Sequence, residues 1–188
     1  MKRRIILITD GDVVAKKAIE RAAKNIGGRC ISRSAGNPTP ISGEEIASLI
    51  FEAKYDPVLV MVDDIGNPQF GEGEKALAYL LGHPEMEVLG VIAVASNTES
   101  VKGVEVSYSI DHTGKVVHNA VDKNGYETNT KILYGDTVDV LNSFSVPIII
   151  GIGDIGKING VDRHTKGAPI ITKALKEIIS KESKNENN

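Results

Sequence analysis

Short apolar runs alternate with segments of helical periodicity through the first half of the chain, and this alternation constrains the fold most strongly. Buried strands are predicted at 5–9, 30–31, 58–62 and 88–94. Helices with apolar residues on one face are predicted between them, at 13–26, 42–53 and 72–81. Such an order requires parallel strands joined by right-handed crossovers. We therefore predict an α/β fold with a three-layer, mostly parallel sheet and helices on both faces, of Rossmann-like or Toprim-like type.

The alternation changes after residue 94. Residues 104–110 and 115–120 alternate apolar with polar side chains around an Asp-His-Thr-Gly turn, which predicts a β-hairpin insertion. The remaining predicted elements are a helix at 136–144, a strand at 146–150 and a helix at 168–179. The sequence thus predicts one α/β domain over residues 1–180, followed by a disordered polar tail at 181–188.

Composition and charge argue against several classes of function. The net charge is −3, and no basic stripe interleaved with aromatic residues is present, so a nucleic-acid partner is not expected. No segment approaches the roughly 20 consecutive apolar residues of a membrane helix. The single cysteine, Cys30, cannot form an internal disulfide, which favours a reducing compartment. Its apolar neighbour predicts a buried core residue rather than a nucleophile.

Aspartates follow three of the predicted strands. They are Asp10, Asp12, Asp63, Asp64 and Asp154. Ligands of open parallel sheets bind beyond the carboxyl ends of the strands, where these residues fall. Carboxylates gathered there repel one another unless a cation or a proton compensates, and hard oxygen ligands suit Mg²⁺ or Ca²⁺. For any one aspartate alone, a turn or a helix N-cap is the preferred interpretation; together the five form the candidate metal site.

A glycine-rich segment at 151–156 precedes a cluster of basic side chains. The segment has the spacing of a dinucleotide-binding fingerprint, but no helix follows at once, so a tight loop is the preferred interpretation. The basic residues after it are Lys157, Arg163, His164 and Lys166. Such residues bind anions such as carboxylate or phosphate groups. A solvated charged loop is the alternative, and the sequence leaves both open.

Two enzyme families share parts of the aspartate pattern. Asp10-Gly11-Asp12 resembles the first motif of haloacid-dehalogenase-type phosphatases, and Asp154 imitates their last metal motif, but no lysine motif lies between them. Topoisomerase–primase domains place a glutamate after the first strand and Asp-x-Asp after a later one. This chain has Asp10 and the adjacent pair Asp63-Asp64 at those places, so that catalytic pattern is not met. An Mg²⁺-dependent phosphate-handling enzyme therefore remains the alternative function.

Three segments spread along the chain resemble a known family. They are residues 3–12 (RRIILITDGD), 60–67 (VMVDDIGN) and 151–157 (GIGDIGK). Together they resemble the soluble form of the stage V sporulation protein AE family, which is encoded beside membrane subunits that move dipicolinic acid with calcium. The resemblance carries no catalytic residues over to this chain, and it implies an accessory subunit rather than an enzyme.

The same resemblance implies where such a subunit works and with what. It would lie on the cytoplasmic side, peripheral to the forespore or spore inner membrane, and act in sporulation and germination. Its partners would be the membrane subunits and a soluble partner of the same dipicolinate channel complex; a homo-oligomer is left open. A subunit without a membrane helix must dock on these partners, and Phe51, Phe70, Phe144 or the hairpin region 104–120 are candidate contacts.

Overall fold

The computed structural model describes residues 2–66, 70–97, 101–156, 158 and 160–185. Its strands are β1 (Arg3–Ile8), β2 (Arg29–Cys30), β3 (Val58–Met61), β4 (Met86–Val94), β5 (Val104–Glu105), β6 (Tyr108–Ile110), β7 (Val116–Val117), β8 (Ile132–Leu133) and β9 (Ile149–Ile152). Its helices are α1 (Val13–Asn25), α2 (Gly43–Glu52), α3 (Glu72–Leu81) and α4 (Pro169–Asn185).

Seven of the strands form one sheet in the described part of the chain, in the order β2-β3-β1-β4-β9-β6-β7. Neighbouring strands are parallel except β6 and β7, which form an antiparallel hairpin. β5 and β8 form a separate antiparallel pair. The predicted α/β class, with a mostly parallel sheet and a hairpin, is confirmed.

The handedness of the crossovers places the helices. The chain moves from β1 past β3 to β2 through α1 and then reverses direction through α2 and α3. Right-handed connections that run in opposite directions lie on opposite faces of a sheet. Accordingly, α1 packs with α4 on one face, and α2 packs with α3 on the other. The switch point therefore lies between β1 and β3, where a ligand crevice is expected at the carboxyl ends.

The core consists of two apolar layers separated by the sheet. Alternate residues of β1 divide between them, since Ile6 and Ile8 face the α1–α4 layer while Ile5 and Leu7 face the α2–α3 layer. All four side chains are fully buried, as expected for a central parallel strand. None of the helices in the described ranges combines the length and the apolar character that a membrane crossing requires.

Three boundaries differ from the sequence-based expectation. The helix predicted at 136–144 is only a short 3₁₀ helix, Asp139–Ser143. The start of the predicted hairpin region, residues 104–105, pairs with β8 and not with β7. The last helix continues to Asn185, past Lys181, where the sequence analysis begins the polar tail.

Candidate functional site

Three carboxyl groups meet at the switch point, and we call them the carboxylate crevice: Asp10, Asp63 and Asp136. Asp10 follows β1 and Asp63 follows β3, and both side chains are almost buried, at 8% and 6% exposed. The Gly11 amide donates to Asp63 Oδ2 at 3.2 Å, which ties the two strand ends together. Asp136 comes from the loop after β8, and its carboxyl group lies beside that of Asp63. The sequence predicts that the ends of β1 and β3 lie side by side. Asp136, the third carboxyl group at this place, was not among the predicted site residues.

Burial and mutual repulsion favour the protonated forms in this crevice. Burial raises the pKa of Asp63 to about 7, and the Asp136 charge adds to the rise, while amide donors from Gly11 and Asp64 oppose it. Burial also raises the pKa of Asp10 well above its ordinary value, reinforced by the charges of Asp12 and Asp63. Asp63 therefore binds a proton near neutral pH, where an ordinary aspartate is ionised.

Two other predicted site residues act as helix caps. Asp12 Oδ1 accepts hydrogen bonds from the Val14 and Ala15 amides at 2.7 and 2.8 Å, at the start of α1. Asp64 accepts from the Gly73 and Glu74 amides at 2.8 and 2.7 Å, at the start of α3. Backbone donors thereby engage Asp12 Oδ1 and both carboxylate oxygens of Asp64.

Asp154 lies at the margin of the carboxylate crevice. Its Oδ1 accepts a hydrogen bond from the Gly156 amide at 3.0 Å, and its charge contributes to the raised pKa of Asp10. Among the described residues, no three His, Cys, Asp or Glu side chains are arranged so that they could hold a metal ion by themselves. A cation in the crevice would therefore need ligands besides these carboxyl groups.

Backbone strain flanks the crevice on two sides. Ile65, directly after Asp64, has a φ of 59°, and Thr137, directly after Asp136, has a φ of 61°. Left-handed conformations of such β-branched residues cost on the order of 1–3 kcal/mol each and persist where the surrounding structure enforces them. The Thr137 hydroxyl is also buried without a hydrogen-bond partner in the described part of the chain. These features each lower the free energy of unfolding, and they lie next to the crevice.

Gly73 lies in the first turn of α3, where this helix passes close to the backbone of Asp63. A Cβ at this position would lie 2.5 Å from the Asp63 carbonyl oxygen and 2.8 Å from its nitrogen. We expect Gly73→Ala to lower the free energy of unfolding by about 1–3 kcal/mol, because α3 must move away from β3. Urea denaturation followed by circular dichroism measures the change.

Gly82, at the end of the same helix, is the matched control. A Cβ there would meet its nearest atom at an ordinary 3.4 Å, so Gly82→Ala should change stability by less than about 1 kcal/mol. Equal losses in the two variants would contradict the proposed close approach of α3 to Asp63.

The predicted basic residues divide between two environments. Arg163 and His164 line a cavity of about 280 Å³, which we call the basic cavity, together with Lys17 and the exposed first turn of α1. Lys166 belongs to the same 3₁₀ turn but does not line this cavity. Lys157 lies outside the described residues. Lys17 was missed because it precedes the cluster by more than a hundred residues, although its helical spacing from Val13 predicts a shared face.

The phenylalanines proposed as docking contacts differ in exposure. Phe51 on α2 is 43% exposed, and Phe70 before α3 is 55% exposed. Phe144, at the end of the 3₁₀ helix, is partly buried. Phe51 and Phe70 are therefore the accessible members of this set.

The crevice and the basic cavity both adjoin the start of α1, since Asp10 lies three residues before this helix while Val13, Val14 and Lys17 line the cavity. The chain is thus an open three-layer α/β protein with acidic side chains at its switch point and a basic cavity beside the start of α1. The family described as Stage V sporulation protein AE1 matches residues 4–182, so the chain belongs to that family, and its role lies in sporulation. No curated protein and no solved structure matches the chain.

Proposed function

We propose that this chain is an accessory subunit of the machinery that transports calcium dipicolinate across the spore inner membrane. The observation that carries the proposal is that Asp10 of the carboxylate crevice and the lining of the basic cavity both adjoin the start of α1. Such cargo combines a divalent cation with an aromatic dicarboxylate, and it requires side chains of both signs close together. The family match over residues 4–182 supports the sporulation context.

The cation and the anion would be held by different groups. Calcium takes six to eight oxygen ligands, more than the crevice offers alone. A chelated cation brings ligands of its own, so Asp10 and Asp63 need to supply only the remainder. Lys17 and Arg163 would then bind a cargo carboxylate through charge-assisted hydrogen bonds. The basic cavity therefore complements the crevice as a cargo contact.

Docking on partner subunits is the second part of the proposal. A subunit on the cytoplasmic side of that membrane would reach the channel through accessible apolar side chains, and Phe51 and Phe70 provide them. Its partners would be the membrane subunits and a soluble component of the same complex. What supports this role over a phosphate-handling enzyme is the use of Asp12 as the cap of α1, because the enzyme would need that carboxyl group for proton transfer.

Calorimetric titration of the full chain tests cargo binding. We expect a saturable heat with an equimolar mixture of calcium and dipicolinate. Asp63→Asn should weaken this binding at least about tenfold, because an oxygen ligand and a negative charge are lost together. The control is Glu44→Gln, which removes one exposed carboxylate on α2. A flat trace at millimolar ligand, or equal affinities of the two variants, would contradict cargo binding at the crevice.

A further inference from the structure

A cavity of about 420 Å³ lies at the outer edge of the sheet, beside the edge strand β2. Its lining comes from residues 29–33, from the end of α2 and from the three residues that follow. It shares no lining residue with the basic cavity or with the carboxylate crevice. A ligand bound in this edge cavity would therefore occupy a different site from the cargo proposed above.

The polar part of the lining is dominated by cations. Arg29, Arg33 and Lys54 contribute positive charge, and Glu52 is the one acidic residue of the lining. Arg33 is paired with Glu45 at 2.8 Å, whereas the side chains of Arg29 and Lys54 form no ion pair with any described residue. In a chain whose net charge is −3, two unpaired cations at the rim of one cavity create a local positive potential.

The floor of the edge cavity is apolar. Ile31 and Cys30 are buried, and Leu49 of α2 lies beside them in the lining. Burial raises the pKa of the Cys30 thiol to about 12, so this group stays neutral and belongs to the apolar floor. Tyr55 is 61% exposed and places an aromatic ring at the rim. An apolar floor beneath cations fits an organic ion better than an inorganic one.

The rim is also held in place before any ligand arrives. The Arg3 guanidinium donates to the carbonyl oxygens of Ala53 and Tyr55 at 2.8 and 3.4 Å, which fixes the turn that presents Lys54 and the tyrosine ring. The backbone of Arg29 is fixed by the parallel pairing of β2 with β3, in which Arg29 lies opposite Val58. A rim with a fixed backbone loses little backbone freedom when a ligand binds.

We propose that the edge cavity binds a small organic carboxylate. Arg29 and Lys54 contact the carboxylate groups, and the surface of Ile31, Cys30 and Leu49 contacts the apolar body of the ligand. Guanidinium and ammonium groups form charge-assisted hydrogen bonds with carboxylates, and Arg29 can do so through two parallel donors. The assignment rests on the lining of this cavity alone and does not depend on cargo transport.

Amide NMR titration of the full chain with isophthalate tests this assignment, because this flat ring with two carboxylates carries the proposed chemistry. We expect saturable shifts confined to residues 29–33 and 49–55. The double variant Arg29→Gln/Lys54→Gln should bind at least about tenfold more weakly. The matched control is Arg21→Gln/Lys24→Gln, which removes the same two charges from exposed positions on α1 and should bind as the unsubstituted chain does.

Several outcomes would overturn the proposal. They are equal affinities of the two double variants, shifts outside the edge cavity, and inorganic phosphate competing as strongly as isophthalate. Shifts centred on Asp10 and Asp63 would overturn it while supporting cargo binding at the crevice, so the two proposals can fail separately. Because Arg29 and Lys54 are exposed, the variants should retain the circular dichroism spectrum of the unsubstituted chain.

Discussion

Replacing Asp162 with alanine is expected to lower the free energy of unfolding by about 2–4 kcal/mol, a large share of the stability of an ordinary domain. Asp162 is fully buried, and its carboxylate accepts from the Ile170 and Ile171 amides at 2.7 and 3.1 Å, at the start of α4. Alanine would leave these two buried amides without an acceptor. Burial raises the pKa of Asp162 to about 6, so the fold tolerates a desolvation cost to keep this cap.

Asp12→Ala is the control, because it removes the same kind of cap from an exposed helix start. Val13 beside it is 70% exposed, so water can replace the lost carboxylate, and the expected loss is about 1 kcal/mol. Urea denaturation at pH 7.5 compares the two variants. Equal losses would show that burial of the α4 cap does not determine its contribution.

The sequence predicts correctly those helices and strands whose apolar residues recur at a regular spacing and whose ends carry capping or turn residues. The helix predicted from residue 42 is one example, since the Ser42 hydroxyl accepts from the Glu45 amide at 3.2 Å at the start of α2. The positions of Asp10 and Asp63 followed from the rule that strand ends share one edge. Both conclusions rest on local periodicity and on the topology that it requires.

The errors arise where distant segments decide the local structure. The helix expected from Asp136 fails because Thr137 has a left-handed backbone, which no α-helix accommodates. The strand predicted at 146–150 is observed at Ile149–Ile152, and Pro147, which lacks an amide donor, lies before its start. Asp136 joins Asp63 from a loop outside the main sheet, and no spacing along the chain indicates that contact.

Asp136→Asn is expected to change how stability depends on pH. The pKa of Asp63 is raised to about 7 in the folded chain. Its contribution to stability is therefore complete below its ordinary pKa near 4. That contribution is lost as the pH rises from about 4 to about 7. One pKa unit corresponds to 1.36 kcal/mol, so the loss across this window is at most about 4 kcal/mol. Removing the Asp136 charge lowers the pKa of Asp63 and reduces the loss.

The comparison between the variant and the unsubstituted chain isolates this effect. Asp162 loses its contribution between about pH 4 and 6 in both proteins, so its effect cancels in the difference. Asp136 also accepts hydrogen bonds from the Gly66 and Thr137 amides, and weakening these bonds lowers the overall stability of the variant. We therefore expect a difference that grows in favour of Asp136→Asn from pH 4 to 7 and then remains constant.

Urea denaturation at a series of pH values measures this difference, and NMR titration of the Asp63 carboxyl carbon should show its midpoint moving down from about 7. Asp139→Asn is the control, because it removes a charge from the same loop at a group that accepts from the Lys102 and Gly103 amides instead. Parallel stability curves for Asp136→Asn and the unsubstituted chain would contradict a contribution of the Asp136 charge to the raised pKa of Asp63.

The same proton connects the pH dependence to the proposed cargo site. A cation that enters the crevice needs deprotonated oxygens, so its binding must release the proton held by Asp63. Near pH 6.5 the calorimetric heat of cargo binding should therefore vary with the ionisation enthalpy of the buffer, and this variation should disappear above about pH 8.5. Binding that is saturable but independent of the buffer at pH 6.5 would place the cation away from this pair of carboxyl groups.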